Sequence, residues 1–136
     1  MQSGANADLI RRAFELWNAG DMEALRDLYH PDMIMRGPPD WPEPGPFVGR
    51  DAVLRQLMRA REPFDRDSVS ILGDIVDVGN RALVRMSWQA SGRGPEGTTE
   101  WTLLYEFRGG LVFSLEYFPN HDESLEAVGI PQPPEK

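Results

Sequence analysis

The residues best suited to chemistry lie near the end of the chain, where Asn120, His121 and Asp122 follow an aromatic run that stops at Pro119. A histidine beside a carboxylate could abstract a proton next to a carbonyl group, with His121 as the base and Asp122 as its neighbour. The same residues also suit a structural role, because Asn is a good helix N-cap and acids in a first turn favour the helix dipole. The sequence favours the cap and keeps His121 and Asp122 as the candidate catalytic residues.

The rest of the chain offers little for other chemistry. The second histidine, His30, precedes Pro31 and is expected at the C-terminal end of a helix, where a cation is favoured. Two distant histidines without H-x-x-x-H or H-E-x-x-H spacing give no metal ligand set, and the chain has no cysteine. There is also no glycine-rich phosphate loop. We therefore expect no metal and no cofactor.

Composition limits the class of protein. The chain has 136 residues, is 40% hydrophobic and carries a formal net charge of −8. That length makes one domain with a sizeable core. An acidic chain argues against nucleic acid, because such binding needs Lys and Arg on phosphates. The N-terminal residues contain no long apolar run, so neither a signal peptide nor a membrane contact is expected, and we predict a soluble, cytoplasmic protein.

Apolar residues at helical spacing predict three helices in the first half of the chain. The first covers residues 8–18, with Gly20 as its stop and Asp21 as the N-cap of the second, which Pro31 ends. A short strand, "DMIMR", follows, and then the loop "GPPDWPEPGPFVG", whose aromatic residues should fold it back onto the body as a partial lid. The third helix, "RDAVLRQLMRARE", is expected to turn these residues inward: Val53, Leu54, Leu57 and Met58.

From residue 67 the apolar period changes to two and predicts strands joined by hairpins, with tight turns at Gly79-Asn80 and in "FRGGL". Pairing through these turns should place Trp88 opposite Trp101. Tyr105 is expected opposite Phe113. One face is apolar and should meet the helices, whereas the other is mixed and typical of a dimer interface. Helices followed by a curled antiparallel sheet make an α+β architecture.

A pocket is expected between the inner face of the sheet, the helices and the proline-rich loop. Its expected lining is Trp17, Met33, Met35, Arg36, Trp41, Phe47, Trp88, Trp101, Tyr105 and Tyr117. Such a list suits a flat hydrophobic small molecule, although the same residues could simply pack as core. The expected alternation turns Glu100, Glu106 and Glu116 outward, so the inner face should supply almost no carboxylate.

Four stretches together resemble one known family: "AFELWNAGDMEALRDLYHPDM", "PFVGRDAVLRQL", "FRGGLVFSLEYF" and "DESLEAVGI". They are similar to the opening helix pair, the entry to the third helix, the last hairpin and a short C-terminal helix of the SnoaL-like branch of the nuclear-transport-factor-2-like superfamily. The resemblance covers roughly residues 7–130. We expect one domain over residues 1–130 and a disordered tail at 131–136.

The resemblance implies a cone-shaped curved antiparallel sheet wrapped around N-terminal helices, with a pocket at the open end and a short C-terminal helix. It also implies a homodimer through the outer sheet face. Polyketide cyclases of this branch use an acid near the end of the last strands with His or Asn, and the matching region here is "YFPNHDE".

The sequence thus predicts a protein that binds a hydrophobic, ring-containing small molecule. If the protein is catalytic, the expected chemistry is cofactor-free acid–base chemistry of the cyclase or isomerase type. The alternative is a non-catalytic ligand-binding or interaction module, because fold resemblance alone does not determine a reaction.

Overall fold

The computed structural model describes residues 4–38, 41–43, 45–92 and 97–119. Within these residues there are three helices, α1 (Gly4–Ala19), α2 (Met22–Asp27) and α3 (Arg50–Arg61). The strands of the same residues are β1 (Tyr29–Arg36), β2 (Phe47–Val48), β3 (Arg66–Val78), β4 (Arg81–Ser91), β5 (Gly97–Arg108) and β6 (Leu111–Phe118). The expected C-terminal helix, the tail at 131–136 and the pair His121 and Asp122 lie outside the described residues.

The strands form one curved sheet in the order β2-β1-β6-β5-β4-β3. β1 runs parallel to β6, and the other neighbouring strands are antiparallel. The pairing is irregular between β1 and β6, within β3–β4 and near the end of β5–β6, and such bulges bend a sheet. Helices followed by a mostly antiparallel sheet confirm the α+β class.

The junction between the first two helices follows the sequence signals. Gly20 has a positive φ of 75°, which ends α1. The Asp21 side chain accepts a hydrogen bond from the backbone N–H of Ala24 at 3.1 Å, so the predicted N-cap is confirmed. Among the described helices, none is long and apolar enough to cross a membrane.

The second helix ends earlier than expected, and this moves His30. The backbone N–H of Val112 on β6 donates to the Leu28 carbonyl at 2.9 Å, and Tyr29 already pairs with Val112 in the sheet. His30 therefore lies in β1 and not at a helix end, because pairing with β6 begins before Pro31. Its Nδ1 accepts from the backbone N–H of Asp32 at 3.0 Å.

The third helix confirms most of its predicted inner face. Val53, Leu54 and Leu57 are buried, but Met58 is 52% exposed, so its inward assignment was wrong. The buried stripe of α3 is narrower than a full apolar face, and Met58 lies beyond its edge.

The sheet has the predicted faces but a different register. Met86 pairs with Trp101, and Trp88 pairs with Thr99, so the expected Trp88–Trp101 pairing was wrong by two residues. Alternation cannot reveal such a shift, because moving a strand by two residues keeps every side chain on its face. Trp88 and Trp101 still stack, with ring centroids 6.1 Å apart.

The β5–β6 pair is shifted in the same way. Tyr105 pairs with Leu115 and not with Phe113. An irregularity after Glu106 brings Val112 opposite Phe107, and Val112 occupies the core position expected for Phe113. Phe113 is half-buried, with the Arg108 guanidinium 3.6 Å from its ring centroid.

The main core lies between the inner face of the sheet and the three helices. Ile10 of α1, Leu25 of α2 and Val53 of α3 are all but completely buried in it. On the outer face, Leu83 is fully buried beneath half-exposed apolar neighbours, which include Val76 and Leu104. The buried apolar residues thus form a main core on the inner face of the sheet and a small cluster on its outer face.

Candidate functional site

A cavity of about 540 Å³ opens between the helices, the inner face of the sheet and the proline-rich loop. Its inner walls come from Phe14 of α1, Leu57 of α3 and Met86 and Leu103 of the sheet, which are buried apolar residues. Its rim is formed by the exposed residues Pro42, Glu43, Arg59 and Pro63. The charged groups that line the cavity therefore lie at its mouth, and its interior is mainly apolar.

Aromatic rings form the wall nearest the proline-rich loop. Trp101 stacks on Trp88, and its ring centroid lies 5.3 Å from that of Tyr117 in an edge-to-face contact. Trp41 of the loop packs against both Trp101 and Tyr117, at 6.4 Å and 5.3 Å. Edge-to-face and offset contacts of this kind are the favoured geometries for aromatic pairs. The loop thus folds back over the sheet through Trp41.

A glycine makes this loop conformation possible. A Cβ atom added at Gly37 would overlap Cε3 of Trp41, closer than non-bonded atoms approach. The backbone N–H of Trp41 also donates to the Pro38 carbonyl at 3.1 Å. Gly37, the residue after β1, therefore allows the indole to lie directly on its backbone.

Six of the ten residues expected around the pocket line the cavity: Trp17, Trp41, Trp88, Trp101, Tyr105 and Tyr117. The other four do not. Met33 and Met35 are fully buried in the core because α3 packs over β1 and fills the space above them. Phe47 packs against the same core outside the cavity lining, and Arg36 is exposed at the end of β1.

A buried carboxylate that the sequence reasoning missed lies directly behind two of the tryptophans. Asp67 has a side chain that is 6% exposed, and its Oδ2 accepts hydrogen bonds from the indole N–H groups of Trp17 at 2.6 Å and Trp88 at 2.9 Å. Its Oδ1 accepts from Nε and Nη2 of Arg61, both at 2.9 Å. All these partners are donors, which suits an ionised carboxylate.

Arg61 belongs to the same cluster. Its guanidinium lies 4.2 Å from the centroid of the Trp17 ring, and its Nη1 donates to Sδ of Met22 at 3.4 Å. The last residue of α3 thereby contacts α1, the start of α2 and β3 at one point. Asp67 does not line the cavity, so it acts on the cavity wall only through the two indoles that it holds.

The alternation of β3 contained the signal for Asp67. The inward residue Ile71 is preceded at spacings of two by Val69 and then by Asp67, so the carboxylate falls on the inner face. The prediction that the inner face carries almost no carboxylate missed Asp67, because that face was defined by its apolar residues alone.

Tyr29 lines the cavity, although the sequence did not predict it there because the residue was assigned to a helix. Together with Tyr105 and Tyr117 it brings all three tyrosines of the chain to the cavity. Burial raises the pKa of each phenol above its ordinary value of 10.0. The three hydroxyl groups are therefore protonated at neutral pH.

Among the described residues, no group of three or more His, Cys, Asp or Glu side chains could hold a metal ion.

Comparison with known protein families identifies the family of this chain. A model of the SnoaL-like domain matches residues 10–115. The chain belongs to the SnoaL-like family. None of the curated proteins compared with it matches.

Solved structures agree with this SnoaL-like fold. A protein from a soil-derived mobile gene cassette is 22% identical over 83% of this chain and 87% of its own, with a TM-score of 0.76. A protein co-crystallised with polyporic acid is 16% identical over 92% of this chain and 98% of its own, with a TM-score of 0.73. A Mycobacterium tuberculosis protein in complex with estradiol-17beta-hemisuccinate is 14% identical over 88% and 97%, with a TM-score of 0.74.

The carboxylate behind the tryptophans can be tested by Asp67→Asn in this SnoaL-like domain. The amide keeps one acceptor oxygen but turns an NH₂ group toward donors, so we expect the free energy of unfolding to fall by about 1–3 kcal/mol. Chemical denaturation measures this change, and the tryptophan emission of the folded protein should shift because two indoles lose their fixed partner.

The matched control is Asp8→Asn, which removes the carboxylate of an exposed ion pair with Arg11 at 3.2 Å. Exposed pairs contribute about 0–1 kcal/mol, so this variant should stay close to the parent protein. Equal effects of the two substitutions would contradict the positioning role of Asp67.

Proposed function

We propose that this SnoaL-like protein binds a hydrophobic, ring-containing small molecule in the 540 Å³ cavity. The volume falls within the range of about 300–1,000 Å³ that is usual for ligand pockets. The observation that carries the proposal is the wall of Trp41, Trp88, Trp101 and Tyr117, whose rings surround an open space instead of filling it.

Two of the similar structures support a ring compound as the ligand. One was co-crystallised with polyporic acid, and another is a complex with estradiol-17beta-hemisuccinate. Both share only the fold with this chain. Their ligands suggest the chemical class to test and do not identify the ligand of this protein.

Blocking the cavity from its rim tests this function. Ala60→Phe adds a ring to a half-exposed lining residue of α3. As a test ligand we choose isopropenylphenanthrene, a hydrocarbon of three fused rings with one short side chain. We expect the substitution to weaken its binding by about tenfold or more, which corresponds to 1.4 kcal/mol. Equilibrium dialysis measures the affinity. The matched control is Ala52→Phe, because Ala52 is a half-exposed alanine of the same helix that does not line the cavity. Wild-type protein that binds no such hydrocarbon would refute the proposal.

Acid–base catalysis by His121 and Asp122 is the second candidate. The pair follows Phe118, the last residue of β6, by three and four positions, and Tyr117 of that strand lines the cavity. The chemistry would be cofactor-free proton abstraction next to a carbonyl, as in a cyclase or isomerase.

Hydrogen exchange distinguishes this enzyme from a binding protein. If His121 is a base, wild-type protein should accelerate exchange of the acetyl hydrogens of acetylphenanthrene for deuterium, and His121→Ala should lose about 100-fold or more of that acceleration. Asp122→Asn should reduce it less, because Asp122 only neighbours the base. Exchange no faster than in buffer would leave a non-catalytic ligand-binding protein.

We also propose a homodimer through the outer face of the sheet. The half-exposed side chains of Val76, Val78 and Leu104 surround Leu83 there, and this apolar surface faces away from the helices. A second copy presenting the same patch would cover it, as expected for a two-fold interface.

The dimer predicts that Leu104→Glu yields a folded monomer at micromolar concentration, because a buried unpaired charge disfavours the interface. Analytical ultracentrifugation measures the mass, and circular dichroism checks the fold. Val48→Glu adds the same charge at a residue of β2 that is 68% exposed and should leave the dimer intact. A monomeric parent protein would rule out this interface.

A further inference from the structure

The charged side chains at the mouth of the cavity have no role in the binding of an apolar ring. Among the described lining residues, Glu43 and Arg59 carry a formal charge, and both are exposed. They are not paired with each other, and in the described part of the chain no hydrogen bond or ion pair engages the Arg59 guanidinium. Arg59 is therefore available to an anion at the edge of an apolar cavity.

One face of α3 brings polar groups to this mouth. Gln56, Arg59 and Ala60 all line the cavity, and their spacing of three and four residues makes them neighbours on the helix surface. Leu57 of the same helix belongs to the buried inner wall. The Gln56 side chain is half-exposed and has no hydrogen bond among the described residues. The helix thus presents N–H donors of two side chains directly beside an apolar interior.

The charges of α3 also favour an anion here. The helix contains four arginines and one aspartate, in a chain whose formal net charge is −8. That aspartate, Asp51, is engaged by Arg26 at 3.0 Å. Arg55 and Arg59 line one surface depression outside the cavity, and neither has a hydrogen bond or ion pair among the described residues. This side of α3 therefore carries positive charge that attracts anions.

We propose that Arg59, with Gln56 beside it, binds an acidic substituent of the ring-containing ligand at the mouth of the cavity. A planar guanidinium can hold a carboxylate through two parallel N–H···O bonds. The rings occupy the apolar interior, and the charge stays at the exposed rim, where it avoids the cost of full desolvation. This inference rests on the proposed function and specifies the ligand class as aromatic carboxylic acids.

The test compares two ligands of nearly equal shape. Phenanthrenecarboxylate has two oxygens on a planar carbon, and isopropenylphenanthrene, substituted at the same ring position, has two carbons in their place. Equilibrium dialysis at neutral pH gives the affinity of both compounds for the parent protein, Arg59→Met and Arg55→Met. We expect Arg59→Met to bind the carboxylate about fivefold more weakly, the upper end for an exposed ion pair, and the hydrocarbon within about twofold of the parent protein.

Arg55→Met is the matched control, because Arg55 is also an exposed arginine of α3 but does not line the cavity. It removes the same charge and should keep the affinity of both compounds within about twofold. Equal losses of carboxylate binding in the two variants would show a long-range charge effect and would overturn the subsite. Arg59 also lies in the last turn of α3, where a cation favours the helix dipole, but loss of that effect would act on both ligands alike.

The outcomes separate this inference from the proposed function. Parent protein that binds neither compound overturns both. Parent protein that binds the hydrocarbon, together with an Arg59→Met variant that loses the two compounds equally or loses neither, overturns the acid subsite and leaves ring binding intact. Ala60→Phe should weaken both compounds, because they occupy the same cavity. If that variant loses the hydrocarbon alone, the acid binds elsewhere and the inference is overturned.

The acidic residue of the rim provides an independent readout. Glu43→Gln removes the negative charge among the described lining residues, so the carboxylate should bind about twofold more tightly and the hydrocarbon with unchanged affinity. Weaker binding of the carboxylate by this variant would contradict an anion at this rim.

Discussion

The buried Asp67 carboxylate is the interaction that joins the helices to the sheet at the cavity. Its oxygens accept hydrogen bonds of 2.9 Å or less from Trp17 of α1, Arg61 at the end of α3 and Trp88 of β4. Protein interiors normally close around empty space, so rings that border a cavity must be held from behind. Asp67 does this for two indoles at once. Arg61 neutralises the charge of Asp67. Because the Arg61 side chain is 20% exposed, the ion pair forms without full desolvation of both partners.

The inner face of the sheet is covered by a helix at one end and borders the cavity at the other. Under α3, Met33 and Met35 are fully buried, so this part behaves as ordinary core. Toward Trp88, Trp101 and Tyr117, the sheet curves away and large rings brace one another instead of meeting a helix. Stiff rings with few rotamers are suited to this task, whereas flexible aliphatic chains would collapse into the space.

Sequence reasoning reached the strands and their faces because alternation records which side of a sheet is buried. The predicted turn at Gly79-Asn80 lies between β3 and β4 in the structure. The register of the strands could not be predicted in the same way, because a shift of two residues leaves every side chain on the same face of the sheet. The extra residue at Phe113 could not be foreseen either, because a bulge depends on the pairing of both strands. Local signals likewise placed Tyr29 in a helix, although pairing with β6 draws it into β1.

The charged and titratable groups around the cavity indicate which of the two proposed functions, ligand binding or acid–base catalysis, its described walls suit. Acid–base chemistry needs a group that gains and loses a proton near neutral pH beside the ligand. The tyrosines do not meet this need, because burial raises the pKa of each above 10.0. Asp67 is saturated by donors behind the wall, and the charged lining residues Glu43 and Arg59 are exposed at the rim. The described walls therefore support the proposed binding of a ligand, and the proposed proton transfer would depend on His121, which follows β6 in the sequence.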